Sequence, residues 1–127
     1  MLMAYGFLRA VFEIFERHHK PIDMITTSEV AVSITIDNDS ELAEIVEELR
    51  TFGTVEVNTG LSIVSIVGVF PADKPGYANS IFNALKEIPV RMISYGGSEN
   101  NISILVETGL KKETLIALNK GLFNLAQ

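Results

Sequence analysis

Residues 21–36 read PIDMITTSEVAVSITI, and residues 89–106 read PVRMISYGGSENNISILV. The second stretch repeats the first, because Met24 corresponds to Met92 and the Ser-Glu pair at 28–29 returns at 98–99. The repetition extends upstream to a helical segment in each copy. A repeat of this length is a supersecondary module, so we expect two small domains, each with a helix followed by a hairpin.

The first copy opens with a predicted helix whose apolar side chains form one stripe. That stripe is expected to be core and not a cofactor site: Leu8, Val11, Phe12 and Phe15. Residues 22–26 and 30–36 then predict two short strands. His18 and His19 close the helix. Because adjacent helical residues point to different sides, they favour a solvated helix end over a metal site.

A second helix and two strands are predicted next. Ser40 is expected to cap this helix, Gly53 to end it, and its glutamates to stay in water. Residues 54–58 are predicted to form a strand. The β-branched run 61–70 is predicted to be a central strand buried on both faces. The second copy starts with this strand, and its last helix has a predicted buried stripe of Leu115, Leu118 and Leu122.

The order of these elements predicts an α+β fold. We expect tandem ferredoxin-like domains (βαββαβ) with antiparallel sheets and helices on one face, at residues 1–59 and 60–127. The first copy lacks its opening strand, so the chain is expected to be a fragment of a longer protein. The missing closing strand of the second copy leaves three alternatives open: a genuine absence, a strand supplied by its neighbour, or truncation. Each half is marginal in size, which favours a shared interface and a homodimer.

Composition narrows the possible partners. The chain has 127 residues, 47% of them hydrophobic, and a formal net charge of −6. The negative charge and scattered basic residues argue against a nucleic-acid or anionic-membrane surface. There is no cysteine, which excludes disulfides and thiolate chemistry and suits a reducing compartment. No signal-peptide core or bilayer-length apolar run is present, so we expect a cytoplasmic protein.

Three motifs, taken in their order along the chain, resemble the regulatory region of aspartate kinases. They are GFL at residues 6–8, DMITTSE at 23–29 and RMIS at 91–94. Residues 1–37 are similar to the first of the two ACT domains in that region, and the later motif to the second. The resemblance implies allosteric feedback inhibition by an amino acid, with lysine the expected effector of a monofunctional enzyme in lysine, threonine and methionine biosynthesis.

The chemistry of phosphoryl transfer is not visible in this sequence. It contains no glycine-rich phosphate loop, Walker sequence or magnesium-ligand cluster. We therefore expect no catalytic residue, metal or cofactor in this chain. The resemblance places ATP and magnesium in a kinase domain that precedes the regulatory modules.

The start of the first helix offers chemistry that suits an effector. Backbone N–H groups around Gly6, Phe7 and Leu8 would face a carboxylate, although a tight turn that merely begins a helix has the same pattern. Asp23 is a candidate for an ammonium group, or else a solvated carboxylate at a strand edge. Serine and threonine at a hairpin tip also often satisfy their own backbone.

The resemblance favours the ligand interpretation. It implies an effector site between two first ACT domains, formed by Met1, Gly6, Phe7, Leu8, Ile22, Asp23, Thr27, Ser28 and Glu29. Met3 and Ala4 stand where the enterobacterial lysine-sensitive form has a histidine and a serine.

Two other functions stay open. The runner-up is a dimerisation module whose ligand site is vestigial. An independent small enzyme comes third, because no nucleophile–base pair is visible. Residues 96–100 would be a second ligand loop by repeat symmetry. The resemblance favours an interface turn there, since the second ACT domain commonly holds the dimer and leaves its own site empty.

Overall fold

The computed structural model describes residues 6–28, 31–69, 75–96 and 99–123. The chain divides into two compact units, Met1–Val57 and Asn58–Gln127. Both combine helices with antiparallel strands, which confirms the predicted α+β class. Within the described ranges, no helix is long and apolar enough to cross a bilayer.

The first unit contains two helices and a hairpin. They are α1 (Phe7–Arg17), β1 (Met24–Thr27), β2 (Val32–Thr35) and α2 (Leu42–Leu49). The strands pair antiparallel, with Met24 opposite Thr35 and Thr27 opposite Val32. The repeated PIDMITTSEV segment therefore forms a hairpin, as its alternating pattern predicts.

The core of this unit forms where α1 packs on α2. Its buried side chains are Val11, Ile14, Phe15 and Ile45. The rings of Phe7 and Phe52 meet edge to face beside it, with centroids 6.3 Å apart. The predicted stripe is partly wrong, because Leu8 and Phe12 are each 41% exposed. The buried face of α1 is centred on Val11, Ile14 and Phe15. Leu8 and Phe12 lie at the edges of this face and are therefore partly exposed.

Helix α1 ends in a Schellman motif. The His19 N–H donates to the Glu16 carbonyl at 3.0 Å, and the Lys20 N–H donates to the Phe15 carbonyl at 2.9 Å. His19 itself is left-handed, with φ 52°. Glycine is the usual residue at this position. The motif turns the chain sharply after His18.

The predicted Ser40 cap of α2 is wrong. Glu41 occupies the N-cap position with a left-handed φ of 61°, and no side chain caps the helix. Ser40 instead accepts a hydrogen bond at 2.6 Å from the Nζ of Lys20, which is only 6% exposed. The same Nζ also donates to Asn38 Oδ1. A buried ammonium group needs such acceptors, because burial without hydrogen bonds is costly. The two bonds also attach the loop before α2 to Lys20. The helix ends at Leu49, ahead of Gly53.

Of two strand predictions in the middle of the chain, one is wrong and the other is partly right. Residues 54–58 form no strand. The run after them forms β3 (Leu61–Val67), in which Val64 and Ile66 are buried while Val67 is 75% exposed. Among the described strands, β3 lies at the sheet edge and has one covered face. Phe70, where the predicted strand ended, lies outside the described residues.

The second unit is a three-stranded antiparallel sheet with helices. After β3 come α3 (Tyr77–Ala84), β4 (Met92–Ser94), β5 (Asn101–Glu107), a 3₁₀ turn (Thr108–Leu110), α4 (Lys111–Leu118) and a π-helical turn (Asn119–Phe123). The strand order is β3-β5-β4, with Val64 opposite Ile104 and Ile104 opposite Ile93. The buried side chains are Val64, Ile66, Ile81, Leu85, Ile102, Ile104, Val106 and Leu118.

The stripe predicted for the last helix is only partly confirmed. Leu118 is buried and Leu122 packs partly against the core, but Leu115 is 46% exposed. Thr114 takes the buried position instead, at 0% exposure. Its hydroxyl donates to the Leu110 carbonyl at 2.8 Å, which satisfies the polar group inside the core.

Candidate functional site

The start of α1 presents backbone donors that the helix itself does not use. Gly6 is left-handed, with φ 83° and ψ 1°, and no side chain of the described residues caps the helix. The first helical hydrogen bond runs from the Ala10 N–H to the Gly6 carbonyl, at 2.9 Å. The N–H groups of residues 7–9 therefore have no acceptor within the helix. Together with the positive end of the helix dipole, they suit a carboxylate.

The second copy repeats this backbone. Gly76 begins α3 with φ 100° and ψ −16°, and the Ser80 N–H donates to its carbonyl at 3.0 Å. A Cβ would have space at both glycines, so the positive φ and not crowding favours glycine. The left-handed glycine at the helix start is thus a property of the repeat, and the two copies differ there in their side chains.

The predicted hairpin residues lie at the ends of β1. Asp23 precedes the strand and is exposed, and its N–H donates to the Thr35 carbonyl at 2.9 Å. Thr27 ends the strand and is exposed. The Ser28 N–H donates to the Ala31 carbonyl at 2.8 Å across the hairpin tip. Ile22 differs from these, because it packs partly buried against the core of the first unit.

The predicted residues therefore form two groups within the first unit, one at the start of α1 and one along the hairpin. In the described part of the chain, neither the Asp23 carboxylate nor the Thr27 hydroxyl has a hydrogen bond or ion pair. No side-chain bond joins either of them to residues 6–8. Met1 and Glu29, also predicted for the site, lie outside the described residues, as do Met3 and Ala4.

A polar cluster that was not predicted from the sequence lies at the other end of α1. The His18 side chain is only 15% exposed and lies between two carboxylates of α2 and its N-cap. Its Nδ1 is 2.7 Å from Glu41 Oε1, and its Nε2 is 2.6 Å from Glu48 Oε2. Arg17 Nη2 lies 2.7 Å from the second oxygen of Glu48. The prediction of a solvated helix end is therefore wrong for His18.

The hydrogen bonds set the electrostatics of this cluster. The bond to Glu48, and then that to Glu41, raises the pKa of His18 above its ordinary 6.5. The same bonds lower the pKa of both carboxyl groups, and Arg17 lowers that of Glu48 further. Over the described ranges, no group of three or more histidine, cysteine or acidic side chains has the arrangement of a metal site.

A shallow groove runs between α1 and α2. Its apolar lining comes from Ala10, Ile14 and Phe52, and its polar rim from Glu13, Arg17, Glu48 and Thr51. Of the residues predicted for the effector site, those that the structure describes do not line it.

Comparison with known proteins places this architecture in a family. Residues 64–122 match the model of an ACT domain. A solved chain described as a C-terminal regulatory domain of aspartate kinase, from Porphyromonas gingivalis W83, is 52% identical with a TM-score of 0.85. The alignment covers 94% of this chain and 82% of that one. This chain belongs to the aspartate kinase family, as its ACT-type regulatory region.

Curated aspartate kinases support the assignment. The aspartokinase of Schizosaccharomyces pombe is 37% identical over 126 residues, and lysine-sensitive aspartokinase 3 of Escherichia coli is 35% identical over 131 residues. These alignments cover 95% and 97% of this regulatory region, which spans only 24% and 29% of those proteins. Escherichia coli aspartokinase III solved with lysine and aspartate, in its T-state, is 36% identical with a TM-score of 0.83. The predicted family, fold and regulatory role are thereby confirmed.

Proposed function

We propose that this regulatory region binds lysine and inhibits an aspartate kinase in response. The kinase would phosphorylate L-aspartate with ATP, and ATP and magnesium would bind in its catalytic domain and not to the residues described here. The observation that carries the proposal is the alignment over 97% of this chain with a kinase whose solved complex holds lysine. The N–H groups ahead of the helical hydrogen bonds of α1, and an Asp23 carboxylate that is exposed and has no ion pair among the described residues, support it.

Each part of the effector would meet a chemically matched group. The α-carboxylate would accept hydrogen bonds from the N–H groups that follow Gly6, at the positive end of α1. An ammonium group of the ligand would pair with Asp23. The hydroxyls of Thr27 and Ser28 would contribute hydrogen bonds. The remaining proposed contacts are Met1, Phe7, Leu8, Ile22 and Glu29.

The site would be completed by a second copy of the chain. In the described residues the first sheet contains only β1 and β2, so each strand has an unpaired edge. Unpaired edges are templates for further strand pairing. A side-by-side homodimer would cover such an edge and bring the helix start of one protomer to the hairpin of its partner. Effector binding would then favour one arrangement of the dimer, with a coupling of typically about 1–3 kcal/mol.

The second unit is proposed to stabilise the dimer without binding the effector. The repeat aligns Arg91 with Asp23, which reverses the charge at the position proposed to bind the ammonium group. The Arg91 guanidinium lies 4.0 Å from Glu107 of the neighbouring strand. The Gly96 turn would serve as an interface turn. A cationic ligand is disfavoured at this position by repulsion.

Calorimetric titration of a verified dimer with lysine, threonine and methionine tests the proposal. We expect lysine to bind and to bind tightest. Sedimentation at micromolar concentration should show a dimer in place of the 13.9 kDa chain. If the dimer forms but binds none of the three amino acids at millimolar concentration, the region is a dimerisation module with a vestigial site. If lysine binds to a monomer, the proposal that two chains share the site is wrong.

A further inference from the structure

The cluster around His18 does more than pair charges at a surface. His18 follows the last residue of α1, and its two ring nitrogens reach two carboxylates at opposite ends of α2. Glu41 stands at the N-cap of that helix and Glu48 in its last turn. One side chain therefore joins the C-terminal end of the first helix to both ends of the second.

The geometry demands a charged imidazole. Both carboxylates are acceptors, so both ring nitrogens must donate. A neutral imidazole has one N–H group and one lone pair, and it can satisfy only one of these acceptors. The imidazolium form satisfies both, through bonds of 2.7 and 2.6 Å that are as short as charge-assisted hydrogen bonds.

Other charged groups face the same cluster. Arg17 binds the outer oxygen of Glu48, while Lys20 and His19 act on Glu41 through their charge. The Lys20 ammonium is itself held by Asn38 and Ser40. The carbonyl end of α1 also favours a cation at His18. Two carboxylates and a helix C-terminus thus act together to keep the ring protonated.

The backbone on both sides of the cluster is strained. Glu41 has φ 61° and His19 has φ 52°, and these are the non-glycine residues with positive φ in the described chain. Such conformations persist where the surrounding structure holds them. The Schellman hydrogen bonds hold His19, and the side chains of the neighbouring His18 and of Glu41 bond to each other, so the bond joins the end of α1 to the start of α2.

We propose that His18 is a proton-operated clamp between α1 and α2. In the imidazolium form it binds Glu41 and Glu48 together, and on deprotonation it releases one of them. The inference does not rest on the proposed effector. The clamp and the proposed effector site lie at opposite ends of α1, because His18 follows the end of this helix and Gly6 precedes its start.

The sign of the pH dependence follows from the direction of each shift. The pKa of His18 is raised above 6.5, so its stabilisation is complete below that pH and is lost as pH rises through the folded pKa. The pKa values of Glu41 and Glu48 are lowered from 4.5, so their contribution is present above that pH and is lost on acidification. The clamp is closed between these limits and opens in the neutral to alkaline range.

A proton NMR titration of the imidazole signals tests the clamp on the folded chain. The His18 midpoint should lie above 6.5 in the wild type. It should fall in Glu48→Gln and, by less, in Glu41→Gln. Glu44→Gln is the matched control, because it removes the same charge from an exposed position of α2. A wild-type midpoint at or below 6.5, or an equal fall in Glu44→Gln, would overturn the proposal.

Amide hydrogen exchange gives an independent readout. After correction for intrinsic exchange, protection of α1 and α2 should decrease as pH rises above 6.5, because the His18 imidazolium then loses its proton. Protection of β5 should change little. His18→Gln should abolish this dependence, and His19→Asn should keep it, since asparagine tolerates the left-handed backbone there. Unchanged protection of the wild type as pH rises, or the same dependence in His18→Gln, would contradict the clamp.

Discussion

Gly121 and Ala84 approach so closely that a Cβ on the glycine would lie 2.6 Å from the alanine Cβ and 3.2 Å from its Cα. The contact joins the π-helical turn after α4 to the last turn of α3. Both atoms on the alanine side belong to a short, stiff residue, so neither can move aside. The absence of a side chain at Gly121 therefore permits this packing.

Replacement of Gly121 by alanine should destabilise the second unit by about 1–3 kcal/mol, the usual effect of forcing an extra methyl group into a packed contact. Urea denaturation measures the change. Gly109→Ala is the control, because no atom lies within 4 Å of a Cβ there. Equal midpoints for Gly121→Ala and the wild type would show that the turn moves away from α3 without loss of stability.

Replacement of Asp23 by asparagine should weaken lysine binding about ten- to a hundredfold, because a hydrogen bond to a charged group contributes roughly 1.5–3 kcal/mol. Asp39→Asn removes the same charge from an exposed loop position and should have a far smaller effect. Calorimetry of verified dimers compares the two. Wild-type affinity in both variants would exclude Asp23 from lysine recognition.

Replacement of Lys20 by methionine should destabilise the first unit by about 1.5–3 kcal/mol. The variant retains the apolar stem of a side chain that is 6% exposed but loses the bonds to Asn38 and Ser40. Thermal unfolding measures the loss. Lys112→Met, at an exposed position of α4, should change stability by no more than about 0.5 kcal/mol. Similar losses in both variants would mean that the loop before α2 does not depend on Lys20.

Replacement of Thr114 by valine should destabilise the second unit by about 1 kcal/mol, because a buried hydroxyl loses its bond to the Leu110 carbonyl while the shape is kept. Thr51→Val removes a bond of the same kind, from a hydroxyl to the carbonyl of Glu48, at an exposed position. We expect a smaller effect there, since water replaces the lost partner. A larger loss from Thr51→Val in urea denaturation would contradict this assignment.

The local elements were predictable because their signals lie within a few residues. Alternation in the repeated segment predicted the hairpin in which Met24 faces Thr35, and the spacing around Gly6 predicted the start of α1. The exposed face of β3 was not predictable, since Ile63 and Val67 have the same apolar character whether or not another element covers that face. In the last helix, helical spacing alone could not decide between Leu115 and Thr114 for the buried position.

The candidate functional residues divide in the same way. The conformation of Gly6 and the exposure of Asp23 agree with their sequence context. The surroundings of His18 depend on Glu41 and Glu48, which lie 23 and 30 residues further along the chain. Likewise, Ser40 has the sequence of a helix cap but binds Lys20, which comes from the preceding helix end. Contacts over such separations follow from how the helices pack and leave no local pattern.

Both copies of the module keep a left-handed glycine at the start of the helix, which indicates how a duplicated module can diverge. Gly6 and Gly76 specify the backbone at the start of each helix, while Asp23 and Arg91 carry opposite charges at matching positions. The glycines that specify the backbone and the charged side chains proposed to select the ligand are thus separate residues. Mutation can therefore alter what one copy recognises while its architecture survives, and a tandem pair gains room to specialise: one half is free to change its chemistry as the other keeps its own.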